Sequence, residues 1–161
     1  VYKRQALWLL ITMAVGIVLH MFFLSVLYYV IFVTVRQWTG GYHADSYLKC
    51  NLTFAGITFF TLGMTKLSCM REVYNPTIHG LLLVTVLLIV WKYAPVENLN
   101  KPLTEEQKKR NHRAAFIAVI VLEALSCGLY VFSSEVSALA AYTLFSIAVL
   151  ILISKKQKRR E

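Results

Sequence analysis

Charge is scarce in this chain: 16% of its 161 residues are Asp, Glu, Lys or Arg, against about 25% in a typical soluble domain. With 58% of residues hydrophobic, that shortage excludes both a disordered chain and an ordinary soluble globule. Negative charge is scarcer still, with eight acidic residues against seventeen basic ones and a net charge of +9. Cysteine is limited to Cys50, Cys69 and Cys127. An odd, widely spaced set with no CxxC excludes a disulfide-stapled module, a zinc ribbon and a thioredoxin-like pair. The three read as free thiols. A basic segment followed by a short apolar core and a small-residue cleavage site is also missing, so no signal peptide is assigned. There is no internal repeat, and low complexity is confined to the basic tail Lys155-Lys156-Gln157-Lys158-Arg159-Arg160.

Apolar runs separated by short polar stretches make up the rest. They define an all-α, polytopic membrane bundle of about six transmembrane helices, occupying residues 1–161 as a single integral-membrane domain. The opening Val1-Tyr2-Lys3-Arg4-Gln5 is expected to follow a missing N-terminal stretch. From 6 to 35 the plainly polar residues are Thr12, His20, Ser25 and Thr34. As one helix these thirty residues would reach about 45 Å, against a hydrocarbon core of about 30 Å. Two passes hinged near 16–21, with His20 at the turn, fit better than one steeply tilted pass. Further runs cover 52–67, 77–93, 114–132 and 136–153. Pro76 suits the first turn of a helix, and Leu103-Thr104-Glu105-Glu106 reads as a helix start with Thr104 as cap and acids in the first turn.

With the N-terminus inside, six passes put 36–50, 96–113 and the basic tail in the cytoplasm. The outside then receives only Lys66 and Arg71 among the loop cations, in keeping with the positive-inside rule. The cations are thus placed as topology signals, which argues against nucleic acid as a partner. The lipid bilayer is the expected one.

One interval differs from the rest: Trp38-Thr39-Gly40-Gly41-Tyr42-His43-Ala44-Asp45-Ser46-Tyr47-Leu48-Lys49-Cys50. Gly40-Gly41 should break the helix leaving the membrane. His43 titrates near neutrality, and a thiol beside an imidazole becomes an effective nucleophile. Arg36 and Lys49 add positive charge. On one straight helix, residues seven apart lie about 10.5 Å apart along the axis, so contact requires a bend. With His43 on a loop, and Asp45 or Ser46 capping the helix that holds Cys50, the imidazole can fold back to the sulfur. The bland reading is a turn between helices with an incidental His and Cys. A metal site would need two more ligands from elsewhere, and no spacing points to a metal or other cofactor.

The interval resembles the signature of the accessory gene regulator B family, membrane cysteine endopeptidases that process quorum-sensing pro-peptides in Gram-positive bacteria. The matching residues are Arg36, Gly40, Gly41, Tyr42, His43, Ala44 and Cys50. A second match follows the fourth apolar run: Pro95, Glu97, Asn98, Asn100, Lys101, Pro102 and Leu103. The resemblance implies a multi-pass protein of the bacterial cell membrane with a cytoplasmic active site and an autoinducer pro-peptide as substrate. It implies Cys50 as nucleophile and His43 as general base. A Cys50 thioester would then yield to a Cys or Ser of the pro-peptide, closing a thiolactone or lactone. Arg36 is carried over as a supporting residue, and Gly40 and Gly41 as backbone-shaping ones.

Asp45 is a candidate to orient His43 or to cap the next helix. Glu123, an acid within an apolar run, is a candidate for a catalytic or substrate role, or for pairing with a helix-end cation. Cys69 and Cys127 read as small apolar residues. Gly and Ala faces in the fifth and sixth runs permit a homo-oligomer. The rival from another class is a small transporter or peptide-export component without proteolytic activity, with the Gly-Gly interval as a re-entrant loop.

Overall fold

A computed structural model describes residues 2–40, 47–97 and 103–158. The described chain is helical, in the order α1 Tyr2–Val18, α2 Phe22–Thr39, α3 Tyr47–Met70, α4 Pro76–Tyr93, α5 Glu105–Tyr130 and α6 Ser134–Lys158. Five of these, α2 to α6, carry stretches long and apolar enough to cross a bilayer, and α1 is a shorter apolar helix. The expected membrane bundle is therefore present, and the 6–35 run divides into two helices.

The division has a local cause. His20 takes the left-handed conformation (φ 56°), the His20 N–H donates to the Ile17 carbonyl (3.0 Å) and the Met21 N–H to the Gly16 carbonyl (2.7 Å). This 5→2 and 6→1 pair is the Schellman end of a helix, which satisfies carbonyls that have no further turn to bond. Lys66 Nζ reaches across from α3 to the Leu19 carbonyl (2.7 Å), placing a cation at the negative end of α1. The returning helix packs closely: a Cβ on Gly16 would lie 2.2 Å from Ser25 Oγ. Other ends follow the chain's cap residues. Asn75 accepts from Ile78 N ahead of Pro76, and Thr104 with Gln107 makes a capping box that starts α5.

α6 is the central element. It packs against α2, α3, α4 and α5, while α1 leans on α2 and α3. In its apolar stretch 72% of residues are buried, against 22–33% for the other four spanning helices. The small residues Ala138, Ala140, Ala141 and Ala148, all buried, let the neighbouring backbones approach, which is how helices associate where lipid removes the hydrophobic drive. Tyr28, Phe32 and Val35 of α2, Phe54 and Leu62 of α3, and Val86 and Val90 of α4 fill the space around α6. Polar bonds cross the same interfaces, Thr61 to Ser146 and Ser68 to Tyr142, each 2.7 Å. Large apolar residues such as Phe23, Trp91, Leu81 and Ile117 point outward, as a lipid-facing surface requires.

Candidate functional site

The start of α3 and the end of α2 lie at one end of the bundle, where Arg36 and Cys50 line one cavity. Cys50 is the fourth residue of α3 and half-buried. Its neighbours are set by a ring of aromatic packing. Trp8 of α1 stacks on Phe54 at 4.6 Å and 11°, Phe32 meets Phe54 edge-on at 5.4 Å, and the Trp8 indole N–H donates to Asn51 Oδ1 (2.9 Å). Between them lies a cavity of about 20 Å³ lined by Trp8, Phe32, Arg36, Cys50, Thr53, Phe54, Ile57 and Leu150. That volume holds about one water-sized group. Arg36 enters it from α2, with its guanidinium carbon 5.9 Å from the Phe32 ring centre, a cation over an aromatic face.

Gly40 ends α2 with φ 64° and ψ −150°, backbone angles open to glycine. It makes an isolated parallel bridge to Val96, and the Val96 N–H donates to the Thr39 carbonyl (2.9 Å). The Val96 segment is itself held from α5. His112 Nδ1 donates to the Ala94 carbonyl (2.7 Å), and Lys108 joins Glu97 (2.9 Å) and Glu105 (2.7 Å). Lys155 near the end of α6 sits over the Tyr93 ring at 3.7 Å. A second, open cavity of about 260 Å³ lies here among Tyr93, Pro95, Val96, Glu97, Lys108 and Lys155. The two matched sequence segments, around Gly40 and around Glu97, are thus adjacent in space.

Of the residues singled out in the sequence, Arg36 and Cys50 come together in the small cavity and Gly40 flanks them at the end of α2. Gly41, His43 and Asp45 lie outside the described residues. Glu123 is elsewhere: it is buried in α5, about 27 Å along the helix from Glu105, and does not line either cavity. Its Oε1 is buried with no hydrogen-bond partner among the described residues. No group of three or more metal-ligating side chains occurs among the described residues. Sequence reading missed Trp8, Asn51 and His112. Their roles come from contacts across the fold, and no local pattern marks them.

Six helices, five of them long and apolar enough to cross a bilayer, define a polytopic membrane protein. A family model described as accessory gene regulator B matches residues 3–154, nearly the whole chain. The chain belongs to the accessory gene regulator B family, which places it in the corresponding quorum-sensing system and associates it with peptide processing there. No curated protein and no solved structure gives a significant match.

Proposed function

We propose that the chain is a membrane cysteine endopeptidase that cuts the C-terminal tail from a quorum-sensing pro-peptide, with Cys50 as nucleophile and His43 as general base. The observation that carries this reading is the convergence of Cys50 and Arg36 on one cavity beside the Gly40 hinge. Cys50 lies in the first turn of α3, where the unpaired N–H groups and the helix dipole favour an anion and so the thiolate. Arg36 adds a full positive charge on the same side. Because α2 ends at Thr39 and a new helix begins at Tyr47, His43 and Cys50 do not share one straight helix, which would keep them about 10.5 Å apart.

In this mechanism His43 takes the thiol proton and the sulfur attacks the peptide carbonyl. The tetrahedral adduct collapses to a Cys50 thioester, and the departing amine of the tail takes the proton back from His43. A Cys or Ser side chain within the retained pro-peptide then displaces Cys50 and closes a thiolactone or lactone. Exchange between thioesters is nearly isoenergetic, so exclusion of water decides between cyclisation and hydrolysis. The apolar wall of Trp8, Phe32, Phe54 and Leu150 beside the thiol supplies that exclusion. The basic residues at this end, Lys108 and Lys155 among them, attract an acidic peptide tail. The active site faces the cytoplasm of a bacterial cell.

The test reconstitutes the full-length protein with its cognate pro-peptide and follows tail release by mass spectrometry. Cys50→Ala and His43→Ala are each expected to abolish the shortened product, a loss of at least about a thousandfold, with membrane insertion intact. Cleavage by either variant would defeat the mechanism. Peptide translocation that survives Cys50→Ala would favour the transporter reading instead.

A further inference from the structure

The described residues contain a thiol and an imidazole in contact, and the pair is not at the Cys50 end. His79 lies in the first turn of α4 and Cys127 in the last turn of α5, with Cys127 Sγ 3.5 Å from His79 Nε2. The cluster sits at the opposite end of the bundle from Cys50. Along α6, its contact residue Ser137 is about 20 Å from Leu150 of the Cys50 cavity. His79 is 6% exposed, and the other face of its ring is committed: Nδ1 bonds the Tyr74 hydroxyl and lies 3.4 Å from Ser137 Oγ. Tyr74 Oη is 3.3 Å from Ser137 Oγ, and the Ser126 hydroxyl donates to the Ser137 carbonyl (3.1 Å). Cys127, by contrast, is exposed.

This arrangement exceeds what helix packing needs. A polar network that only ties helices together is satisfied within itself, and the Tyr74–Ser137–Ser126 bonds already join the α3–α4 connection to α6 and α5. Cys127 adds little to that tie; it is an exposed residue whose sulfur lies against the ring nitrogen. With Nδ1–H donated to the Tyr74 oxygen, Nε2 keeps its lone pair toward the thiol, and Tyr74 donates onward to Ser137. A nucleophile within reach of a base, and that base oriented by a third group, is the geometry of an activated nucleophile.

We infer that Cys127, His79 and Tyr74 form a second nucleophilic site that accepts acyl groups from thioesters at the end of the bundle remote from Cys50. The Cys127 proton passes to His79 Nε2 and the sulfur attacks the thioester carbonyl. The carbonyl carbon's bond to the carrier sulfur then breaks, and the leaving thiolate takes the proton from His79. The products are acyl-Cys127 and a free thiol, with no change of oxidation state. A thioester is the fitting class because its thiolate leaves readily. Tyr74 is a positioning residue in this scheme. The inference stands independently of the Cys50 reading, since the two sites share no residue.

The experiment uses the full chain in membranes with Cys127 as its only thiol (Cys50→Ala, Cys69→Ala). A matched chain keeps only Cys69 (Cys50→Ala, Cys127→Ala). The probes are the octanoyl thioester of N-acetylcysteamine and a short peptide thiolactone. Acyl adducts are read by intact mass and normalised to alkylation of the same cysteine by iodoacetamide. Normalised transfer to Cys127 is expected to exceed that to Cys69 by at least about tenfold. His79→Gln should remove most of the advantage, and Tyr74→Phe part of it. Adducts from the octanoyl probe alone assign a lipid-borne acyl group, and adducts from the thiolactone alone a peptide one. Equal normalised transfer to Cys127 and Cys69 overturns the inference without reference to any His79 variant. So does a folded His79→Gln chain that transfers as fast as its parent.

Discussion

Gly40 carries two demands at a single residue. Its φ of 64° lies where a side chain is strained, and a Cβ there would fall 2.2 Å from the Val96 carbonyl oxygen. That obstacle is backbone and cannot swing aside as a flexible side chain would. Gly40→Ala is therefore expected to lower stability by about 1–3 kcal/mol and to break the Thr39–Val96 pairing, reducing pro-peptide cleavage along with it. Gly63 is the control, because a Cβ there meets nothing within 4 Å. Gly63→Ala, inside α3, should be stabilising by about 0.5–1 kcal/mol through helix propensity. Thermal unfolding in detergent, read beside the cleavage assay, checks both. A Gly40→Ala protein that melts and cuts like its parent would remove the bridge from the site's architecture.

Helix ends are where the elements depart most from their sequence signals. Glu72 closes α3 with φ 53°, its N–H donating to Cys69 O (3.2 Å) and the Val73 N–H to Ser68 O (3.0 Å). This is the same Schellman end that closes α1 at His20, and both positions are normally glycine. Glu72→Gly is expected to raise stability by roughly 1 kcal/mol by releasing the Cβ penalty of the left-handed conformation, measurable as a higher melting temperature. Because neither end carries Gly, the sequence marked the α1–α2 break only through helix length against bilayer thickness. Where the signals were present they read correctly: Thr104 at the start of α5, Pro76 in the first turn of α4, Gly40 at the end of α2. Polarity misplaced other limits. Arg36, Gln37 and Trp38 remain within α2, and α3 begins before Cys50, so both ends of the polar interval are helical. α5 begins nine residues before its apolar run, about 14 Å of helix beyond it, and that extension brings Lys108 and His112 to the Glu97 and Ala94 segment. The aromatic ring around Cys50 and the His79–Cys127 contact join separate helices, and no periodicity within one helix encodes such partners.

For the whole molecule, the three successive antiparallel helices α3, α4 and α5 place Cys50 and Cys127 at opposite ends, and the distribution of charge predicts which end lies inside. The Cys50 end gathers Arg36, Lys49, Lys108 and Lys155. The other end has Lys66 and Arg71, and Lys66 is already committed to the Leu19 carbonyl. Retention of cations on the cytoplasmic side predicts Cys50 inside and Cys127 outside. Two chains, each keeping one of these cysteines, separate the alternatives when a membrane-impermeant maleimide is applied to intact cells and to inside-out vesicles. The Cys127-only chain should label in intact cells. The Cys50-only chain should label in inside-out vesicles, and more slowly, because its thiol is half-buried behind Trp8 and Phe54. The reverse pattern would invert the bundle and bring the pro-peptide to the outer face, where a cytoplasmic precursor could not be cut before export. Labelling of both cysteines from one side would contradict the six-helix count itself, since α3 and α5 run parallel to each other and hold the two thiols at opposite ends.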